Sequence, residues 1–170
     1  MMFIYRVLTY VLLIFAFFWA MGVIFLINVA FAYPALLLTL FVVSSVVLYT
    51  FSSFQFLRRG IDRGGHFKKS RKDFIKVNAY VTVFFAIINF VQAFIGISKP
   101  DKLQELLQQV QTMQSGASGL NTADLLSSVN IILWVMLIYT VALGIHVYQS
   151  FQLLRQHASL FADLQERSDS

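Results

Sequence analysis

The sequence predicts an all-α membrane protein of four transmembrane helices, built as two parallel-repeat helical hairpins, with a short extracytoplasmic amphipathic helix added. The composition is 58% hydrophobic and 12% charged, with a mean hydropathy of +0.72, as expected for a chain whose main solvent is lipid. A helix needs roughly 20 apolar residues to cross the hydrocarbon. Four stretches without Asp, Glu, Lys or Arg meet this length, at about 7–28, 34–57, 77–97 and 129–154.

The first span follows a single basic residue, Arg6, and runs into Ala30-Phe31-Ala32, which resembles the cleavage site of a secretory signal peptide. The apolar region of such a peptide has about 7 to 15 residues, and this span is longer. We therefore expect a retained signal-anchor helix. Together with the second span it forms the first transmembrane hairpin, residues 1–57.

A basic loop, residues 58–76, follows the first hairpin. Its net charge is +6, whereas that of the whole chain is +5. The positive-inside rule places such a loop in the cytoplasm. Four spans then put both termini there too, and the lack of cysteine suits a bacterial inner membrane. The basic residues of the loop are Arg58, Arg59, Arg63, Lys68, Lys69, Arg71, Lys72 and Lys76.

Membrane topology alone explains a loop of this charge. A second interpretation is attraction to anionic lipid head groups, at about 1 kcal/mol per well-placed Lys or Arg, which makes the eight cations candidate head-group contacts. Docking of a cytoplasmic partner is a third, and nucleic acid is not expected as a partner. Gly60, Gly64 and Gly65 predict a flexible loop instead of a folded module.

Two matching segments suggest that the chain contains the same hairpin twice. Residues 6–27 match 76–97 at six positions, and residues 33–59 match 130–156 at seven. The stronger evidence is Ser-Phe-Gln-x-Leu-Arg, which begins at Ser53 and again at Ser150, because it contains polar residues. Each unit has two spans, so the repeats are expected to share one topology about an axis along the membrane normal.

The second transmembrane hairpin, residues 77–155, carries an insert at 98–128 that should face outside. Its apolar residues recur at the helical period, which predicts an amphipathic helix ending near 115–119. This helix either lies on the bilayer and covers the bundle, or docks a partner. The cytoplasmic tail, 156–170, has the pattern of a continued helix. The apolar positions of the insert are Leu103, Leu106, Leu107, Val110 and Met113.

Two hydrogen bonds between neighbouring helices are predicted from membrane depth. Counting inward from the basic residues at 1.5 Å per residue places Tyr10 and Gln55 at similar depths. We therefore hypothesise a Tyr10–Gln55 hydrogen bond and its counterpart, Tyr80–Gln152, each worth about 0.6 to 2 kcal/mol. Alternatively, the tyrosines belong to the interfacial aromatic belt and the glutamines extend to the interface.

Alanines at matched positions of the first and third spans are candidates for close helix packing. Ala16 corresponds to Ala86, and Ala16-x-x-x-Ala20 has the small-xxx-small form that lets membrane helices approach. This pattern places the first and third helices near the pseudo-twofold axis of the repeat.

Three polar residues within the spans are candidate site residues. An ionisable group in the membrane is by default a functional hypothesis, yet a single histidine such as His146 is more often a buried hydrogen-bonding residue. Asn89 and Gln92 share one face of the third helix, where they either join helices or line a pore. The spans contain no second histidine to complete a haem site, and no cofactor is expected.

The absence of catalytic patterns leaves two function classes. The chain has no cysteine, no His-Glu metal motif, no glycine-rich phosphate loop and no serine nucleophile motif, so we do not expect an enzyme. The favoured function is a non-catalytic accessory subunit or scaffold of another membrane protein complex. The alternative is an oligomeric channel or facilitator with a polar path near the third and fourth helices. The expected partners are membrane lipids and another integral membrane protein or a second copy.

Overall fold

The computed structural model describes residues 2–113 and 122–161, and this part of the chain is almost entirely helical. A 3-10 turn, Pro34–Leu36, precedes the second helix, and a π-helical turn, Phe56–Ile61, follows it. A second 3-10 turn, Ala158–Phe161, follows the last helix. The five α-helices are α1 (Met2–Ala32), α2 (Leu37–Gln55), α3 (Lys69–Ser98), α4 (Pro100–Met113) and α5 (Thr122–Gln156).

Four of these helices are long and apolar enough to cross a membrane, and they lie where the sequence predicts the four spans. The chain is therefore an integral membrane protein by helix length and composition. Two of the later helices begin well before their apolar runs: α3 begins at Lys69 and α5 at Thr122. Helical hydrogen bonds do not require apolar side chains, so polar flanking residues extend both helices beyond the hydrophobic stretch.

The chain divides into two compact units, which are described separately. Unit 1 comprises Met1–Phe85 with Ala142–Ser170, and unit 2 comprises Ala86–Val141. Unit 1 thus holds α1, α2, the basic loop, the first half of α3 and the end of α5. In unit 2 the rest of α3 approaches α5 closely, because a Cβ added at Gly96 would lie 2.8 Å from Leu133 Cδ1.

In unit 1 a stripe of small and hydroxylated residues on α1 packs inward. Tyr5, Thr9, Leu12 and Ala16 recur at the helical period and are all buried, and α1 packs along α2. Further along, the ring of Trp19 contacts that of Phe85 on α3 edge to face, with centroids 5.9 Å apart.

Both alanines proposed for close packing are buried. Ala16 of unit 1 is 4% exposed, and Ala86, at the start of unit 2, is 6% exposed. A side chain of this size lets helices approach closely, whereas a longer one needs space that a buried position does not offer.

The basic loop is folded, so the prediction that it is flexible and not a folded module was wrong. Phe67 stacks on Phe161 with ring centroids 5.8 Å apart, and Phe56 stacks on Phe161 at 5.5 Å. The Phe67 backbone N–H donates to the Leu160 carbonyl at 2.7 Å. The glycines support this structure by permitting close contacts, so they do not act as a flexible spacer.

The start of the tail is not a continued α-helix, contrary to the prediction. The chain turns at His157, and the 3-10 turn Ala158–Phe161 brings Phe161 back into unit 1, where it is 4% exposed. Burial of this aromatic ring outweighs continuation of the helix. Residues 162–170 of the predicted tail lie outside the described residues.

The predicted amphipathic helix is present as α4, which begins at Pro100 directly after α3 ends at Ser98. The N–H of Lys99 donates to the Ile95 carbonyl of α3 and the N–H of Leu103 donates to the Lys99 carbonyl, so Lys99 joins the two helices. Pro100 fits because the first turn of a helix does not need its missing N–H. The side chains of Leu106, Val110 and Met113, and the predicted helix end at 115–119, lie outside the described part.

Candidate functional site

A fully buried polar cluster in unit 1 surrounds His146 of α5. The Nε2 atom of the ring lies 2.9 Å from Thr9 Oγ1 on α1, and Nδ1 lies 2.9 Å from Tyr49 Oη on α2. The Tyr5 ring stacks on the imidazole, with centroids 4.8 Å apart and planes 4° from parallel. His146 therefore links three helices and is shielded by an aromatic ring.

The hydrogen bonds around His146 favour one tautomer of its ring. The Thr9 hydroxyl donates to the Tyr5 carbonyl at 2.7 Å, so its oxygen accepts from the Nε2–H of His146. In a neutral ring Nδ1 then accepts, and the Tyr49 hydroxyl donates to it. Both ring nitrogens are satisfied, which removes the cost of an unpaired buried polar group.

Two serines extend the cluster. Ser150 Oγ lies 2.8 Å from Tyr49 Oη and 3.3 Å from Tyr5 Oη, so it joins the two phenols. Ser53 is equally buried, but its hydroxyl has no hydrogen-bond partner among the described residues. The cluster thus contains one spare hydroxyl beside an otherwise connected chain of hydrogen bonds.

Sequence reasoning singled out His146 but missed the residues that it contacts. The sequence pattern that could have identified them is a ring-bearing residue followed four residues later by a hydroxyl-bearing residue. This spacing places both side chains on one helix face. This spacing occurs on three helices, as Tyr5 with Thr9, Tyr49 with Ser53, and His146 with Ser150. Such stripes in apolar spans indicate a shared polar contact between the helices that carry them.

The two hydrogen bonds predicted from membrane depth are absent from the described residues, and that prediction was wrong. Gln55 Oε1 accepts from Arg71 at 2.5 Å, and Gln152 Nε2 donates to Tyr148 Oη at 2.8 Å. Tyr10 and Tyr80 are exposed, and their rings contact Phe54 and Phe151, respectively. The depth estimate ignored which face of each helix turns inward.

The remaining polar candidates lie on α3 in unit 2. Asn89 is half-buried and makes a contact. Gln92 is exposed. Its neighbours one turn away, Ile88 and Ile95, are exposed as well. An exposed amide therefore lies in an apolar, outward-facing stripe.

The predicted head-group contacts differ in what surrounds them. Arg58, Arg59, Lys68 and Lys69 are exposed, as is Arg63, and Asp62 of the same loop pairs with Arg6 of α1 at 2.6 Å. The amine of Lys72 lies 5.8 Å from the ring centroid of Phe161, and Lys76 is half-buried. The loop is thus a structured cationic surface with one of its two acids already paired.

Two pockets open on this surface and share Arg59. The larger, of about 560 Å³, is lined by Arg59, Gly65, His66, Phe67, Lys68, Ser70 and Arg71. The smaller, of about 210 Å³, is lined by Phe51, Phe54, Gln55, Arg58, Arg59 and Arg63. Neither lining contains an acidic residue, so both pockets suit an anion.

Metal chemistry has no visible site in the part of the chain that the structure describes. Residues 2–113 and 122–161 contain no group of three or more His, Asp or Glu side chains placed to hold an ion. The arrangement offers hydrogen bonding inside the spans and anion binding at the basic loop.

A scan against protein-family models finds no match, and neither does a comparison with curated proteins or with solved structures.

Proposed function

We propose that the protein is a non-catalytic accessory subunit or scaffold that associates with a different integral membrane protein. The observation that carries this proposal is the exposed amide of Gln92 within the apolar stripe of Ile88 and Ile95. By helical rise Gln92 lies about 9 Å from the α3 end at Ser98. An amide at that depth in lipid lacks a partner, and a neighbouring helix supplies one, worth about 0.6 to 2 kcal/mol.

The extent of the apolar surface supports the same function. Large side chains such as Phe94, Ile131 and Ile138 expose half or more of their surface in unit 2. Lipid satisfies such a surface, but it does not satisfy an amide. The partner that fits is therefore a transmembrane helix with a hydroxyl, amide or carbonyl group facing Gln92.

The proposed topology places the basic loop and both termini in the cytoplasm of a bacterial inner membrane. The net charge of +6 in residues 58–76 supports this orientation. The outer end of α3 and the helix α4 then lie outside, where Gln104, Glu105 and Gln108 are exposed. In this proposal α4 is a second surface for the partner.

We also propose that the two hairpins are parallel repeats. Tyr49 and His146 are matched positions, 97 residues apart, and they hydrogen-bond to each other. In a twofold arrangement, residues that contact their own counterpart lie at the axis. This contact supports an axis beside α2 and α5, which replaces our expectation of the first and third helices.

An oligomeric channel or facilitator remains the alternative, because Gln92 would equally suit a polar path between identical subunits. His146 supports this alternative poorly: it is buried and both ring nitrogens are engaged. The two functions differ in the partner of Gln92, which is a different protein in one case and a second copy in the other.

The lack of cysteine makes a direct test practical, because a single introduced thiol is the only one in the chain. Ile95→Cys, one turn from Gln92 on the same exposed stripe, carries a photoreactive maleimide in native membranes and leaves the amide in place, and Phe90→Cys is the control. Phe90 is also exposed and lies about 140° round the helix from Ile95. A heterologous adduct specific to Ile95→Cys supports the subunit, a product of twice the chain mass supports the channel, and equal labelling at both positions contradicts a docking face.

A further inference from the structure

Aromatic rings lie against three cations of the basic loop, Arg58, Arg71 and Lys72. Arg6 of α1 pairs with Asp62 at 2.6 Å, which removes this acid as a partner for the nearby arginines. Arg58 lies over the ring of Phe54, with its guanidinium carbon 6.0 Å from the centroid. An aromatic ring orients a guanidinium group without cancelling its charge. The loop therefore presents oriented positive charge to a ligand.

The shared residue of the two pockets, Arg59, is fixed by the backbone beneath it. The Gly65 N–H donates to the Arg59 carbonyl at 2.9 Å, and Gly64 adopts a positive φ of 63° to make this turn. A Cβ at Gly65 would lie 2.7 Å from the same carbonyl oxygen. The loop thus passes so close to the Arg59 carbonyl that position 65 needs a residue without a Cβ.

We propose that these two pockets form one binding site for a phosphate-bearing ligand, the head group of an anionic phospholipid. Arginine suits a phosphate because its planar fork of N–H groups matches the phosphate oxygens. The two linings together supply six basic side chains and no acid: Arg58, Arg59, Arg63, His66, Lys68 and Arg71.

The walls of the smaller pocket favour a lipid over a soluble phosphate. Phe51 and Phe54 belong to the membrane-spanning helix α2, and Phe51 exposes 52% of its surface. These rings offer an apolar surface for the glycerol and acyl carbons directly beside the arginines. A free phosphate compound would leave that surface bare.

The proposed site differs from general attraction of a basic loop to anionic lipid because only some basic side chains of the loop line it. Lys69 and Lys76 line neither pocket, and Lys72 rests on Phe161. If charge attraction alone acted, every exposed cation would contribute to lipid binding according to its distance from the bilayer. The site instead makes binding depend on the arginines of the smaller pocket.

The test is lipid binding to the delipidated full-length chain in neutral detergent, measured by native mass spectrometry. The probes are phosphatidylglycerol, zwitterionic phosphatidylcholine, and inorganic pyrophosphate as an anion without acyl chains. The pocket variant is Arg58→Gln/Arg59→Gln/Arg63→Gln. The control, Lys69→Gln/Lys72→Gln/Lys76→Gln, removes the same charge from the same loop at positions that line neither pocket.

The wild-type chain should bind phosphatidylglycerol in preference to the other two probes. The pocket variant should lose about 100-fold in affinity, from about 1 kcal/mol for each of three cations. The control should stay within about threefold, because its lysines lie outside both pockets and act only through screened charge. If the triple variant does not fold, Arg63→Gln alone replaces it, with an expected loss of about fivefold.

Three results would overturn the proposal. Equal losses in the pocket variant and the control would reduce the site to diffuse charge attraction. Equal affinity for phosphatidylcholine and phosphatidylglycerol would remove the requirement for a net negative head group. Tight pyrophosphate binding without lipid binding would replace the lipid with a soluble phosphorylated ligand.

Discussion

Tyr49 Oη lies 2.9 Å from His146 Nδ1 in the buried centre of unit 1, between two helices whose contacting residues are 97 positions apart in sequence. The contact is completed on the other side of the ring by Thr9, and Tyr5 covers the ring face. It ties α1, α2 and α5 together through groups that are fully buried. Long-range polar contacts of this kind specify one arrangement of apolar helices.

The first prediction concerns the tautomer of His146. Thr9 uses its proton on the Tyr5 carbonyl, so the ring should be protonated at Nε2 and unprotonated at Nδ1. Nitrogen-15 solid-state NMR of the chain labelled at histidine should show one protonated and one unprotonated nitrogen for His146. The exposed ring of His66 serves as the reference. An Nδ1–H tautomer would contradict the deduced order of donors.

Removing the phenol oxygen of Tyr49 should destabilise the fold. Tyr49→Phe leaves His146 Nδ1 and Ser150 each without one partner, at a cost of about 1–3 kcal/mol in the free energy of unfolding. Tyr10→Phe is the matched control, because its ring is 52% exposed, and it should change the value by less than about 0.5 kcal/mol.

The two tyrosine variants are compared by reversible unfolding in mixed micelles, followed by circular dichroism. Equal stability of Tyr49→Phe and Tyr10→Phe would mean that the buried hydrogen bonds contribute nothing beyond packing. A double-mutant cycle with His146→Gln, Tyr49→Phe and the double variant measures the coupling energy between the two side chains. This energy should be non-zero because the side chains are in contact.

Enlarging a buried alanine of α1 should also weaken the fold. Ala16 is 4% exposed, so Ala16→Leu overfills its site and should cost about 1–3 kcal/mol. Ala32→Leu places the same side chain at the exposed end of the same helix and should stay within about 0.5 kcal/mol. The same unfolding assay decides the matter, and a neutral Ala16→Leu would count against close packing at this position.

Adding a methyl group at two glycines should have opposite effects. Gly65→Ala brings Cβ to 2.7 Å from the Arg59 carbonyl oxygen, so the loop must shift, at about 1–3 kcal/mol. Gly22→Ala meets nothing within 4 Å inside α1 and should stabilise by about 0.5–1 kcal/mol through helix propensity. Unfolding of both variants is measured side by side, and a stabilising Gly65→Ala would show that the turn tolerates a side chain.

The positions of the four long helices could be predicted from the sequence because an apolar run of this length has few alternatives in lipid. The face that each helix turns inward was harder to predict. The hydrophobic residues surround α1 and α2 almost evenly, so the apolar pattern hardly distinguishes the inward face from the lipid face. The polar spacing of Tyr5 with Thr9 carried that information, and membrane depth alone led to the wrong partner for Tyr10.

The basic loop was misjudged for a different reason. Its glycines and charges are typical of a flexible connection, and the residues that fold it are distant in sequence. Phe67 packs on Phe161, which is 94 positions later in the chain, so no local pattern predicts the contact. Long-range aromatic packing of this kind became visible only with the tertiary structure.

The central proposal is association with a different membrane protein. The most direct measurement is the mass of the particle extracted in mild detergent at native expression, with every co-purifying protein identified by mass spectrometry. The proposal predicts one other integral membrane protein in a fixed ratio, which is lost in a Gln92→Leu variant that still folds. A homogeneous particle containing copies of this chain alone would contradict it and support the channel alternative.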